Sequence, residues 1–307
     1  MKERSDLLYL RRRGISWKNV VKLKKTITNK EYEVVIARGI ESVLLLSFIG
    51  KPNIKIIFFL TGLGRLFDES IPFKGIIRFC YRKVFKLLVF LKNADVVLQN
   101  EEDKKDLGLK NCHIMNGSGI KLEKTLDKSL SDKKVKILTA SRLTKSKGIE
   151  EIFHFCEHVK NNPSMEYFIL GDYIDLGLKE QRKIREFNKF DNIHFKGFES
   201  NTRVYFEECH VAYFPTNYRE GSPRFLIESL KFGLVIFTNK MPGCSKTISN
   251  KNGYFFSSIE NMIEIIEHLK YNENEFKSLS NRAKELFKQV YTEDVVYEGL
   301  INFIDRN

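Results

Sequence analysis

Cysteine is sparse and shows no pairing pattern. Cys80, Cys112, Cys156, Cys209 and Cys244 are scattered over 307 residues with no Cys-x-x-Cys pair. That excludes a disulfide framework and a zinc knuckle, and suits a reducing compartment. Long apolar runs are also lacking. The most apolar windows cover 43–49, 56–60 and 87–91, far short of the roughly 18 residues a spanning helix needs. The expectation is a soluble or peripheral protein. The opening Met1-Lys2-Glu3-Arg4-Ser5-Asp6 is polar, and Arg11-Arg12-Arg13 follows soon after, unlike a secretory leader. No Asp-x-Asp triplet is present, so a metal-dependent diphosphate site of that type has no support. The six histidines (His113, His154, His158, His194, His210, His268) form no His-Glu-x-x-His pattern, and His154 and His158 read as surface residues. Neither a Walker A sequence nor a Gly-x-Ser-x-Gly elbow occurs. There is no repeat of fixed period and no low-complexity tract.

What is present is an ordinary globular composition with a strong basic bias. The hydrophobic fraction is 42%, the charged fraction 30%, the net charge +13 and the pI about 9.3. The length suits two domains of roughly 150 residues each. The charge is uneven. Residues 1–130 hold 26 Lys and Arg against 14 Asp and Glu, and the remainder holds 26 against 25. The densest piece, 71–94, carries Lys74, Arg78, Arg82, Lys83, Lys86 and Lys92 with no acidic residue. Apolar residues recur between them at spacings of three and four, so the stretch predicts a basic amphipathic helix. Three readings compete for it: a solvated face, attachment to an anionic membrane surface, and nucleic acid. The last rests on charge alone, with no zinc finger, RNP sequence or GXXG loop, and no nucleic-acid partner is expected.

Short apolar strands alternate with helical stretches. Strands are expected at 34–37, 54–60, 95–100 and 112–115, then at 135–140, 167–170, 193–195, 211–214, 234–238 and 253–256. Helices are expected at 148–159, 179–188, 223–232 and through the last quarter. Residues 116–134, which include Asn116-Gly117-Ser118-Gly119 and a Lys-rich run, read as a hinge. Such alternation builds parallel sheets covered by helices on both faces. Two units joined by a hinge predict an α/β protein with a cleft between two domains, 1–125 and 126–307.

Three windows could carry chemistry. In Glu220-Gly221-Ser222-Pro223-Arg224-Phe225-Leu226-Ile227-Glu228, Ser222 suits an N-cap and Pro223 the first helical position. The amides of Arg224 and Phe225 would then open a helix, a natural anion site, with Glu220 and Glu228 on either side to accept from hydroxyls. The bland alternative is helix capping with solvated glutamates. In Ser141-Arg142-Leu143-Thr144-Lys145-Ser146-Lys147-Gly148, Arg142 could grip a phosphate and Lys147 act as a point charge; the alternative is an exposed basic loop. Gly62-Leu63-Gly64 begins like a dinucleotide fingerprint but reaches Phe67 where glycine is required. It reads better as a tight turn that lets backbone approach a ligand.

Taken together and in order, these windows resemble the donor domain of glycosyltransferase family 4, the bacterial surface-polysaccharide members in particular. The resemblance covers about 120 residues, from Ile137 to Phe256. It rests on Ser141-Arg142-Leu143 with Lys147-Gly148, Leu170-Gly171-Asp172, Phe195-Lys196-Gly197-Phe198, the Glu220 and Glu228 pair, Gly233, Pro242-Gly243-Cys244 and Asn252-Gly253. Thr61-Gly62-Leu63-Gly64, Gln99-Asn100 and Asn116-Gly117-Ser118-Gly119 are looser echoes. The resemblance implies a GT-B fold of two Rossmann-like domains, with the last helix packing back on the first. It implies a retaining hexosyl transfer from a nucleotide-diphosphate sugar, most readily a UDP-sugar, with no metal and no cofactor. Arg142 and Lys147 would neutralise the diphosphate, and Glu220 would hold the donor sugar. Glu228 would accept from the ribose. Gly221, Ser222, Arg224 and Phe225 would meet phosphate or sugar; Gly197 and Phe198 would border the base; Gly62 and Gly64 would bring backbone against the donor. The implied acceptor is a lipid-linked glycan, at the cytoplasmic face of the cell membrane. The sequence departs from the family in two places. It has no histidine where Thr61-Gly62 stands, so no general base is assigned. The first alignable strand is 34–37, so the first domain is expected to be shortened by one or two strand–helix units. The rival reading is a truncated or catalytically incomplete nucleotide-sugar-binding subunit. A non-hydrolysing epimerase shares the architecture, but the glutamate pair argues for transfer.

Overall fold

The computed structural model describes residues 17–29, 32–49, 54–67, 73–130, 134–174, 176–248 and 251–306. The polar opening segment, Arg11-Arg12-Arg13 and the first two residues of the basic 71–94 stretch lie outside them. The first half runs α1 (Trp17–Asn29), β1 (Val34–Arg38), α2 (Ile40–Ser47), β2 (Lys55–Phe59), α3 (Lys74–Lys92), β3 (Asp95–Leu98), α4 (Glu101–Leu107) and β4 (His113–Ile114). The four strands form one parallel sheet in sequential order. The second half runs β5 (Val135–Ala140), α5 (Ile149–Val159), β6 (Met165–Leu170), α6 (Leu178–Phe187), β7 (Ile193–Gly197), α7 (Arg203–Glu208), β8 (Val211–Phe214), α8 (Arg224–Lys231), β9 (Val235–Thr238), β10 (Gly253–Phe255), α9 (Ile259–Tyr271), α10 (Glu273–Val290) and α11 (Glu293–Arg306).

The second sheet has the order β10-β9-β8-β5-β6-β7, all parallel. Strands β8 and β9 read as almost unbroken apolar runs because both faces of the sheet are covered there: every residue of the two is buried. One large core lies on each face of this sheet. Thr139, buried mid-strand, is satisfied by the Tyr213 carbonyl at 2.6 Å and the Tyr167 hydroxyl at 2.7 Å. The winding reverses between β5 and β8, so the loops that leave their carboxyl ends part to opposite faces. In open α/β sheets such a switch point is where ligands bind.

The helix expected over 71–94 forms as α3, but only part of its charge lies on its outer face. Arg78 donates to the Phe67 carbonyl at 2.6 Å, Lys92 donates to the Ile49 carbonyl, and Arg82 lies 4.0 Å from Asp106. Ile76, Phe79, Leu87, Phe90 and Leu91 point outward instead, preceded by Phe73, with exposed Lys83 and Lys86 among them. Phe73 and Phe90 are 79% and 81% exposed.

The chain crosses between the sheets twice, side by side. Ile120 pairs with Thr292: the Ile120 amide donates to the Tyr291 carbonyl (3.0 Å) and the Glu293 amide to the Ile120 carbonyl (3.2 Å). Beyond the second crossing, α11 buries Val296 against Ile57, Val97 and Met115 of the first half, with Leu300, Phe303 and Ile304 around them. The stretch expected to be a hinge over 116–134 is fastened along much of its length to the second half. Glu123 pairs with Arg203 and Lys231, each at 2.9 Å, and Thr125 donates to the Lys231 carbonyl. Lys128 is buried and donates to the carbonyls of Phe206 (2.7 Å) and Glu207, satisfying the open end of α7.

Burial lowers the Lys128 pKa to about 8. Between about pH 8 and the ordinary lysine value, the unfolded chain holds a proton there that the folded chain has lost, so this group's contribution to stability rises with pH. The expected rise is up to about 3 kcal/mol. Chemical denaturation of the parent and Lys128→Met at pH 7 and pH 10 tests it. The stability of the parent relative to the variant should increase with pH, and the buried tyrosines and cysteines common to both cancel. A difference that stays flat would mean that Lys128 titrates normally.

Candidate functional site

The loops at the switch point interlock through backbone. After β5, the Leu143 amide donates to the Asp172 carbonyl (3.0 Å), and after β6 the Gly171 amide donates to the Gly197 carbonyl (2.7 Å). A β-carbon on Gly171 would lie 1.7 Å from the Ser141 carbonyl oxygen, so only glycine fits. The loops after β5 and β8 touch in the same way: a β-carbon on Gly148 would lie 1.9 Å from the Pro215 carbonyl oxygen, and the Asn217 amide donates to the Ser146 carbonyl (3.0 Å).

This frame brings several expected residues to one rim. Lys147 ends a 3-10 turn, Lys145–Lys147, and its ammonium pairs with the Glu220 carboxylate from the loop after β8. Both side chains are about 85% covered, with relative exposures of 15% and 14%. The Lys147 ammonium also lies 4.8 Å from the centre of the Tyr218 ring. Arg142, on the same loop, is exposed.

Helix α8 begins one residue later than expected. Pro223 is the N-cap, with extended backbone, and its carbonyl accepts from the amides of Leu226 (3.1 Å) and Ile227 (3.2 Å). Ser222 makes no capping bond; its hydroxyl lies against Gly117. The amides of Arg224 and Phe225 therefore stand at the helix start, ahead of its first internal hydrogen bond. The Phe225 ring is buried against Phe206 and Phe214, so only its backbone reaches the rim. Glu228 accepts from the Arg224 guanidinium at 2.9 Å. At the end of β7, Gly197 has a φ of +73°, and Phe198 is 80% exposed.

The glycine turn of the first half approaches protein. A β-carbon on Gly62 would lie 2.9 Å from the Gly221 nitrogen, and one on Gly64 2.6 Å from the Tyr218 hydroxyl. Gly221 is as tight: its β-carbon would lie 2.1 Å from the Thr61 carbonyl oxygen and 2.4 Å from Gln99 Oε1. The loop that carries Glu220 belongs to the second half but is packed against the first.

Sequence reasoning gave no role to the residues that hold this loop. Asn100 caps α4 by accepting from the Asp103 amide at 2.7 Å, while its Nδ2 donates to the carbonyls of Glu220 (3.1 Å) and Gly221 (3.0 Å). Arg219 donates to Asp103 at 3.1 Å and to Asp106, and its guanidinium lies 5.7 Å from the centre of the Phe67 ring. Burial raises the Asp103 pKa, against the pull of Arg219. Two aspartates one helical turn apart behind a capping Asn100 were the available signal.

The family described as "Glycosyl transferases group 1" matches residues 123–286. No curated protein matches the chain. Among solved structures, Anabaena Alr3699/HepE in complex with UDP and glucose is similar at a TM-score of 0.75 and 14% identity, covering 94% of this chain and 81% of that one. A TarM variant from S. aureus, in complex with Fondaparinux, alpha-GlcNAc-glycerol and UDP, gives 0.72 and 17%, covering 92% and 57%; this chain thus spans little more than half of TarM. The lipopolysaccharide outer core galactosyltransferase WaaB gives 0.66 and 14%, covering 94% and 79%. At these identities the likeness is one of fold, the two-domain GT-B arrangement. With the match extending over more than half of its length, the chain belongs to the group 1 glycosyl transferases.

Proposed function

We propose that the chain is a retaining hexosyltransferase that moves a sugar from a UDP-sugar to a lipid-linked glycan of a bacterial surface polysaccharide. The observation that carries this reading is the arrangement at the switch point. Two carboxylates, Glu220 and Glu228, flank the amide-bearing start of α8, and the cation-bearing loop after β5 touches the Glu220 loop. Nucleoside diphosphate sugars present that sequence of groups: ribose hydroxyls, a dianionic diphosphate and sugar hydroxyls. The complexes of the Anabaena and S. aureus proteins with UDP support the choice of base.

In this reading Glu228 leaves Arg224 and accepts from the ribose hydroxyls. The amides of Arg224 and Phe225 meet phosphate, and Gly197 and Phe198 border the base. Glu220 and Lys147 neutralise each other before the donor arrives. The donor separates them: Lys147, with Arg142, takes the diphosphate, and Glu220 takes hydroxyls of the transferred sugar. As the bond from the anomeric carbon to phosphate breaks, the charge that develops on the leaving UDP is held by these cations, without a metal. The acceptor oxygen attacks from the same face, and its proton passes to a phosphate oxygen of the leaving group. Configuration is retained with no enzyme nucleophile.

The acceptor side is proposed to rest on an anionic membrane at its cytoplasmic face. No helix among the described residues is long and apolar enough to cross a bilayer. The outward face of α3 combines exposed aromatic and aliphatic side chains with Lys83 and Lys86. Apolar residues interleaved with cations suit the interface plane.

Two measurements test the reading. UDP at a hundred times its dissociation constant should stabilise the parent by about 2.7 kcal/mol. Glu228→Ala should weaken UDP roughly 10- to 100-fold, the cost of hydrogen bonds to a charged group. Glu220→Ala should keep UDP affinity and lose sugar transfer. No thermal shift with UDP, or equal UDP affinity in Glu228→Ala, would remove the donor assignment. Separately, the parent should sediment with vesicles containing phosphatidylglycerol, less at 0.5 M than at 0.05 M salt. The variant carrying Phe79→Asp and Phe90→Asp should sediment far less. Equal sedimentation of parent and variant would rule out α3 as the membrane face.

A further inference from the structure

The loop after β8 has an ownership problem. Residues 218–221 follow a strand of the second sheet, yet most of their polar partners lie in the first half. Asn100 Nδ2 binds two successive carbonyls, those of Glu220 and Gly221. Arg219, with only 14% of its side chain exposed, spans to Asp103 and Asp106 on α4. On the opposite side, Gly243 leaves no room for retreat: its β-carbon would lie 2.4 Å from the Glu220 carbonyl oxygen and 2.7 Å from that of Gly221. The peptide units on both sides of Gly221 are therefore fixed, and from the edge of that fixed segment the Glu220 carboxylate reaches Lys147.

We infer that Arg219 is a positioning residue: its pairing with Asp103 and Asp106 across the domain interface aims the Glu220 carboxylate into the site, so that the site is competent for transfer only while the two halves are engaged. This rests on the glycosyl-transfer reading for its consequence, though not for its geometry. Glu228 and the start of α8 lie outside the clamp. Arg219 should therefore govern the chemical step and leave nucleotide affinity unchanged. A carboxylate displaced by even about 1 Å can cost up to about 100-fold in rate.

The test compares the full-length parent with Arg219→Met, Arg219→Lys, Asp103→Asn and the variant carrying both Arg219→Met and Asp103→Asn. Turnover is read as UDP released from UDP-glucose, and affinity as UDP binding by calorimetry. Arg219→Met should lower kcat about 10- to 100-fold with the UDP dissociation constant within about threefold, and Arg219→Lys should recover much of kcat. Asp103→Asn should cost less in the Arg219→Met background than in the parent, as it must if the two act as one pair. The double variant also guards against misfolding, since it leaves no buried aspartate without its cation. Unchanged kcat in folded variants overturns the inference, as do independent multiplicative losses or a parallel loss of UDP affinity. If the parent binds no UDP, the donor reading has failed; if it binds UDP without releasing it from UDP-glucose, glucose is not the sugar transferred. Hydrogen exchange over residues 216–222 then decides the clamp alone: faster exchange in Arg219→Met than in the parent supports it, and equal exchange refutes it.

Discussion

A β-carbon on Gly221 would sit 2.1 Å from the Thr61 carbonyl oxygen, and one on Gly62 would sit 2.9 Å from the Gly221 nitrogen. Much else in the molecule depends on this backbone-to-backbone contact between the halves. Because neither position carries a side chain, the loop after β8 comes close enough for Asn100 to reach its carbonyls and for Arg219 to reach α4. The pairing of Glu220 with Lys147 is set separately, within the second half, where Gly148 meets the Pro215 carbonyl. Interior-type packing at a domain boundary is felt at the scale of a single methylene, so these glycines serve geometry more than flexibility.

The basic character of the first half divides into two physical kinds. Some cations are structural. Arg78 and Lys92 spend their donors on carbonyls within the first half, and Lys55 donates to the carbonyl of Ile304 on α11. Others, such as Lys83 and Lys86, stay in water. Long cationic side chains can lie along apolar surface while their heads find oxygen, which is how α3 presents a hydrophobic outer face from a sequence crowded with lysine and arginine.

The α/β architecture was legible because both faces of the second sheet are buried near its centre, which writes strands there as short apolar blocks such as 211–214 and 235–237. Helix α8 was displaced by one residue because Ser222 and Pro223 compete for the same cap, and local propensity cannot rank two good signals. The face that α3 shows was hidden because counting charges does not say which of them find carbonyls. Arg219 was missed for a plainer reason: its partners lie more than a hundred residues away, at Asp103 and Asp106. Pairing at that distance is a property of the fold. Lys147 and Glu220 were expected in one site because the family resemblance carried both, but their direct pairing was not legible, since it arises only where the loops after β5 and β8 meet.

Helix α11 carries a consequence for synthesis. It is made long after the first sheet, yet Val296, Leu300, Phe303 and Ile304 cover Ile57, Val97 and Met115 of that sheet. That face stays uncovered while more than 170 further residues are made and the second sheet assembles. The first half thus emerges before the second and is completed after it. A nascent chain stalled anywhere between the two crossings presents a bare apolar sheet face to chaperones.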